Sequence, residues 1–282
     1  MRHAIADAIF QLQHMLPPAP HEPAGKAVAG AVVGTVLLAV LFYLLERLFP
    51  EQERQPALHQ GTRTNALYLL FDAVVAQRLV GGATIILLIA AVALKMPRLT
   101  LLGHQPLALQ ALEALLVVEF FGYWSHRALH EVPALWRLHK VHHSSEQLDW
   151  LAAARVHPME SVWNRMITLL PLFLLGFSPG ITAFFGPFFA IYPIFLHANV
   201  RWGYGRLGYA IASPAFHRWH HSSDREALNK NYSGLLPVFD FLFGTAHFPG
   251  NTRPVRYGLD GERAPAGFWQ QLKWPFRASA AS

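Results

Sequence analysis

Residues 27 to 45 contain no charged side chain, and that run limits the folds open to this chain. A stretch of about 20 apolar residues is long enough to cross a bilayer. Inside a bilayer every backbone polar group must be satisfied internally, so the segment has to be helical. Three further apolar stretches follow. Residues 64–94 are interrupted by Asp72, Gln77, Arg78 and Gly81-Gly82, which fits either one long helix or two shorter segments. Residues 106–124 are a further span. Residues 162–200 are apolar apart from Asn164-Arg165 and are broken at Ser178-Pro179-Gly180, so they read as a hairpin that goes down and returns to His197. Charged residues make up only 14% of the chain, against about 25% in soluble domains. The expected fold is all-α: an integral-membrane helical bundle of about four to five spans with a helical cap. Arg47, Arg54 and Arg63 follow the first span, which places that loop and the cap in the cytoplasm.

Histidine spacing supplies the chemistry. His126 and His130 are four apart and share one helical face. His139, His142 and His143 form HxxHH, and His217, His220 and His221 repeat it. With 16 histidines in 282 residues, chance yields about 0.05 such patterns per chain. Neutral imidazole is the commonest nitrogen ligand of transition metals. Eight histidines exceed the four ligands of a single zinc ion and suit two metal ions. Cysteine is absent, so thiolates and protein-ligated iron–sulfur clusters are excluded. Iron, zinc, copper and manganese all remain compatible with an imidazole set.

Other motifs are weaker. Glu119 lies two to three turns before His126 and His130 and could accept from an imidazole or serve helix packing equally well. Ser144-Ser145 and Ser222-Ser223-Asp224 follow the two HxxHH motifs and could fix imidazole tautomers. Residues 203–208 match GxGxxG, but a membrane segment precedes them and no βαβ unit surrounds them, so dinucleotide binding is rejected for an aromatic interfacial turn. HExxH fails at His130-Glu131. The net charge of +6 flanks apolar segments instead of forming a nucleic-acid stripe.

HRALH, HKVHH and HRWHH, followed by NKNYS at 229–233, resemble the fatty acid hydroxylase superfamily, which includes sterol desaturases, sterol methyl oxidases and alkylglycerol monooxygenases. The resemblance covers roughly residues 60–248. It implies a membrane-bound di-iron enzyme that uses O2 to hydroxylate or desaturate an unactivated C–H position of a lipid. Zinc is able to replace iron in purified material. It adds His157, in RVHPME, and His197, in FLHANV, to the metal ligands His126, His130, His139, His142, His143, His217, His220 and His221. It also points to Glu131, Asn231 and Tyr232 as catalytic candidates. Ser233 stands where the family pattern usually has glycine.

The chain has no flavin, nicotinamide or haem motif of its own, so an external ferredoxin, or a cytochrome with its reductase, is expected to supply electrons. Arg127, Arg137, Lys140 and Arg218 would steer that donor. The expected organisation is an interfacial segment at 1–26, membrane helices at 27–105, a catalytic unit at 106–248 and a tail at 249–282. In that tail, WQQLKWPF is expected to dock on the membrane and the last residues to be disordered. The alternative is a histidine-rich metal transporter or a metal-binding membrane protein without oxygenase activity. A transporter's ligands would lie near mid-bilayer, whereas these clusters sit in polar stretches beyond the spans.

Overall fold

The fold runs through ten α-helices among the residues described by the computed structural model, 24–97, 99, 102–250 and 252–277. Most of the expected N-terminal interfacial segment, and the extreme C-terminus expected to be disordered, lie outside the described residues. No strand occurs among the described residues; two isolated bridges, Pro50 to Val200 and Ser222 to Tyr257, are the only β pairings.

Helix α1 is Ala24–Leu48. Helix α2, Thr62–Phe71, passes through a π turn at Asp72–Ala76 into α3, Gln77–Ala93. The interrupted stretch is therefore one continuous helix of 32 residues. Helix α4 is Leu107–Glu131. Among the described residues three segments are, by length and composition, able to cross a membrane: Ala29–Leu48, Thr62–Ala93 and Leu107–Glu131. The expected hairpin forms as α6, Pro158–Leu174, and α7, Pro179–His197, of 17 and 19 residues. Arg165 and Asn164 interrupt the apolar character of α6, and two internal prolines interrupt α7. Three helices, against the four to five expected, thus meet the criterion for a span.

Helix α6 is the hub of the apolar bundle. Its Leu169 and Leu172 pack with Ala114 of α4 and with Phe177 and Ile181. Its Phe173 packs with Leu88 and Ala91 of α3. At the end remote from the histidines, the Ser178 N–H donates to Gln110 Oε1 at 3.2 Å. There too a Cβ on Gly103 would come within 2.6 Å of the Gly176 carbonyl oxygen, so only glycine fits. Helix α1 stands at the edge and leaves most of its apolar length uncovered. Among the described residues it is fastened near its end: Phe42 stacks on Trp150, and Glu46 accepts the Trp150 and Asn199 N–H groups at 2.8 and 2.9 Å.

The opposite end of the bundle carries the cap. Val132 is extended before Pro133, which stops α4 and starts α5, Pro133–His143. The cap is completed by α8, Pro214–His220, while the short helix α9, Val238–Leu242, packs beside α4. The C-terminal segment folds back over it and ends in α10, Phe268–Lys273. Phe268 and Trp274 are buried against Tyr68 and Val141. Within WQQLKWPF, expected to dock on the membrane, Trp274 closes the cap, whereas Trp269 and Phe276 are 62% and 61% exposed.

Candidate metal centre

Four elements converge at the capped end. The α4 terminus brings His126 and His130, α5 brings His139, His142 and His143, the α7 terminus brings His197, and α8 with its C-cap brings His217, His220 and His221. The ring nitrogens fall into two groups able to hold a metal ion. One contains His126, His130, His139, His143 and His220; the other contains His142, His197, His217 and His221. In each HxxHH the outer pair, four residues apart, joins one group and the middle histidine crosses to the other. The stacked rings of His143 and His221, 4.4 Å apart, join the two groups.

Nε2 atoms face one another within each group. His139 Nε2 lies 3.1 Å from His126 Nε2 and from His143 Nε2. His197 Nε2 lies 3.1 Å from His142 Nε2 and 3.2 Å from His217 Nε2, which is 3.2 Å from His221 Nε2. Nitrogens about 2.0–2.1 Å from a shared ion stand about 2.9–3.4 Å apart, so these separations fit a common cation. Nδ1–H groups point outward and donate: His126 to Tyr232 O at 2.7 Å, His139 to Glu160 Oε1 at 2.8 Å, and His142 to Arg155 O at 3.2 Å. His197 donates to Pro193 O at 2.7 Å and His220 to Lys230 O at 2.8 Å. That tautomer leaves an acceptor lone pair on each Nε2. Lone pair against lone pair at 3.1 Å is repulsive unless a cation lies between them. His130 Nε2 and His220 Nε2 are buried with no other hydrogen-bond partner, as a pair of ligands would be.

Burial, with adjacent imidazoles as the second cause, holds His139, His142, His143, His217, His220 and His221 well below the ordinary histidine range. They are neutral at pH 7, the state a ligand requires.

His157 stands apart from both groups and is removed from the ligand set. Its Nδ1 accepts the Met159 N–H at 3.2 Å as the N-cap of α6, and its Nε2–H donates to Leu272 O at 3.1 Å. Both ring nitrogens are engaged, so no lone pair remains for a metal. Glu131 pairs with Arg127 at 2.8 Å, is 44% exposed and belongs to neither histidine group. Asn231 braces α8: its Nδ2 donates to Phe216 O and His247 O, and its Oδ1 accepts the His247 N–H. Asn229 and Asn231 both have φ of +58°, a conformation asparagine tolerates, whereas Ser233 takes no left-handed conformation. Tyr232 is at the site, its ring centroid 5.1 Å from that of His130 and 5.8 Å from that of His126.

Several supporting roles differ from expectation. The serines make no bond to an imidazole: Ser144 donates to Val141 O and Ser222 to Arg256 O. Glu119 accepts from the backbone of Leu235 and Leu236, not from a histidine. Of the expected steering residues, Arg218 is 1% exposed and bonded to Ala198 O, out of any donor's reach. Lys140 is paired with Glu262 and lies over Trp274. Arg137 donates to Arg277 O. The residue the sequence did not single out is Glu160, buried with its carboxylate on His139. Its position three residues after His157, in the first turn of a helix, was the only available signal.

A family model described as fatty acid hydroxylase matches residues 111–245, which contain every histidine of both groups and Glu160. Residues 111–245 thus form a domain of the fatty acid hydroxylase family. The chain is similar to the ornithine lipid hydroxylase OlsE of Rhizobium tropici, 34% identical over 171 residues, 61% of this chain and 51% of that protein. It is also similar to the alkylglycerol monooxygenase of Homo sapiens, 36% identical over 146 residues, 52% of this chain and 32% of that protein. The very-long-chain aldehyde decarbonylase GL1-5 of Oryza sativa subsp. indica is 30% identical over 141 residues, 45% of this chain and 22% of that protein. The chain spans about half the length of the first of these superfamily relatives and a third or less of the other two. No solved structure matches.

Proposed function

We propose that this protein is a multi-pass membrane oxygenase that hydroxylates an unactivated C–H position of a lipid, with its histidine centre on the cytoplasmic face. The observation that carries the reading is the division of nine imidazoles into two adjoining groups with their Nε2 atoms turned inward. Two iron ions held there would supply activation of O2 and attack on the C–H bond. The chain's own residues orient five of the nine imidazoles, those of His126, His139, His142, His197 and His220, through outward Nδ1–H bonds, and its buried cap keeps bulk water out. Tyr232 sets the wall beside His126, His130 and His220. Desaturation uses the same ligands, but two relatives carry the names of oxygen-inserting enzymes, a lipid hydroxylase and a monooxygenase, which favours hydroxylation. An external electron donor is part of the proposal.

The test is metal content together with lipid turnover. Protein purified without chelators from iron-supplemented cells should carry two metals per chain. Lipids of the expressing cells should gain one oxygen by mass spectrometry, and the His142→Ala/His220→Ala variant should lose both properties. Absence of bound metal in the wild type would overturn the di-metal reading. Two metals with flux across liposomes and no lipid change would favour transport.

A further inference from the structure

A short apolar helix lies beside α4 below the metal centre. The Leu235 and Leu236 N–H groups both donate to Glu119 Oε2 at 2.8 Å. Further along, Phe239 lies 5.9 Å from Phe120 and Phe243 4.9 Å from Trp124 by ring centroids. At 1.5 Å per residue, Glu119 and Trp124 are about 10 and 3 Å deeper along α4 than His126. Helix α9 is therefore fixed alongside a membrane-crossing helix, at the depth of that helix and not above it. Its outward side chains are apolar: Val238, Phe241, Leu242 and Phe243 are exposed, and Tyr209 of the 205–209 turn lies 5.7 Å from Phe241.

The same helix is tied to the centre. Asp240 of α9 accepts the Tyr232 and Ser233 N–H groups at 2.8 Å, and the Tyr232 carbonyl accepts from His126. His126 and His130 are also the two histidines of the nine that are not fully buried. The open edge of the centre thus adjoins the apolar helix.

We propose that α9 is seated in the lipid boundary of the bilayer and forms the lip over which a lipid chain reaches the His126–His130 edge. Bilayer lipid is the occupant because the patch continues the uncovered apolar surface of α4, through Trp124, without a break. Tyr209 and Trp124 at its margin are the residue types that favour the membrane interface. The second part, passage of a substrate chain, rests on the proposed function.

The chain has no cysteine, so one introduced thiol is a unique label. Leu242→Cys, carrying a nitroxide in lipid nanodiscs, should be relaxed by O2 and shielded from a polar nickel chelate, matching Val36→Cys on α1. Val255→Cys, 80% exposed on the C-terminal segment, serves as the aqueous reference. A Leu242 label behaving like Val255 would overturn the seating. So would spin–spin broadening, which would put a second copy there.

For the lip itself, phosphatidylcholine bearing a diazirine on its acyl chain should cross-link to peptides containing residues 124–130 and 232–243. Phe241→Gln/Leu242→Gln should reduce those cross-links several-fold with metal content unchanged. Cross-links confined to α1 and α3 would overturn it. Neither readout needs turnover, so failure of the oxygenase reading would leave both results standing.

Discussion

His157 and Glu160 are three residues apart and exchange the roles their chemistry suggests. The histidine spends both nitrogens on backbone groups, while the glutamate holds the outer nitrogen of His139. His157→Ala should therefore keep its full metal complement and lose about 1 kcal/mol of stability, the usual effect of a lost N-cap. Thermal unfolding and metal analysis on one preparation check both halves, and loss of metal would restore His157 as a ligand. Glu160→Ala should behave in the opposite sense, weakening metal retention about 10–100-fold, as removal of a ligand's hydrogen-bond partner does. Glu160→Gln keeps an oxygen acceptor and should recover part of that loss. Retention during a chelator titration is the measurement, and an unchanged Glu160→Ala profile would remove the carboxylate from the centre. Spacing made the grouping of the HxxHH histidines legible because four residues are about one turn. The outer partners were not legible, since the carbonyls of Arg155, Tyr232 and Lys230 reach His142, His126 and His220 only through tertiary folding.

At the scale of elements, periodicity marked the apolar helices and left their joins open. Residues 64–94 held polar residues consistent with a break, yet the backbone absorbs them in a π turn at Asp72–Ala76 without ending the helix. A π turn shifts side-chain direction while keeping backbone hydrogen bonds, so nothing in composition alone separates it from a loop. The C-terminal segment shows the reverse case. Its aromatic residues look suited to a membrane surface, and Trp269 and Phe276 are exposed, but Phe268 and Trp274 find their partners in Tyr68 and Val141, far away in sequence. Trp274→Ala would empty a site closed by Lys140 over the ring and by α2 and α5 beneath. Buried Trp or Phe to Ala typically costs about 3–5 kcal/mol, so a destabilisation near the lower end is expected for this partly peripheral position. Faster metal loss should accompany it, because the same segment accepts the Ser223 N–H, two residues after His221. A melting temperature equal to wild type would show that the segment is not needed to hold the cap closed.

For the molecule as a whole, the bundle was legible because apolar length limits what a segment can do. The convergence of four helix ends was legible only as an expectation from histidine placement. That convergence has a consequence for pH. Six cap histidines, His139, His142, His143, His217, His220 and His221, are held neutral by burial well below their ordinary range. In the unfolded chain they titrate near the ordinary value of about 6.5. Below that pH the unfolded state binds protons that the folded state refuses, so the stability of the fold rises with pH there. The contribution is complete above about pH 6.5 and is lost progressively as pH falls below it toward the depressed folded values. Several imidazoles act together, so the loss should be steeper than the roughly 1.4 kcal/mol per pH unit of a single proton. Metal binding strengthens the same trend, since protons and metal compete for Nε2. Detergent-purified protein, with and without metal, should show a flat melting temperature from pH 8 to about 7 and a steep fall between about 6.5 and 5. A flat profile across that window would mean that the imidazoles are solvated or already protonated in the folded state, and the neutral nine-histidine centre would have to be abandoned.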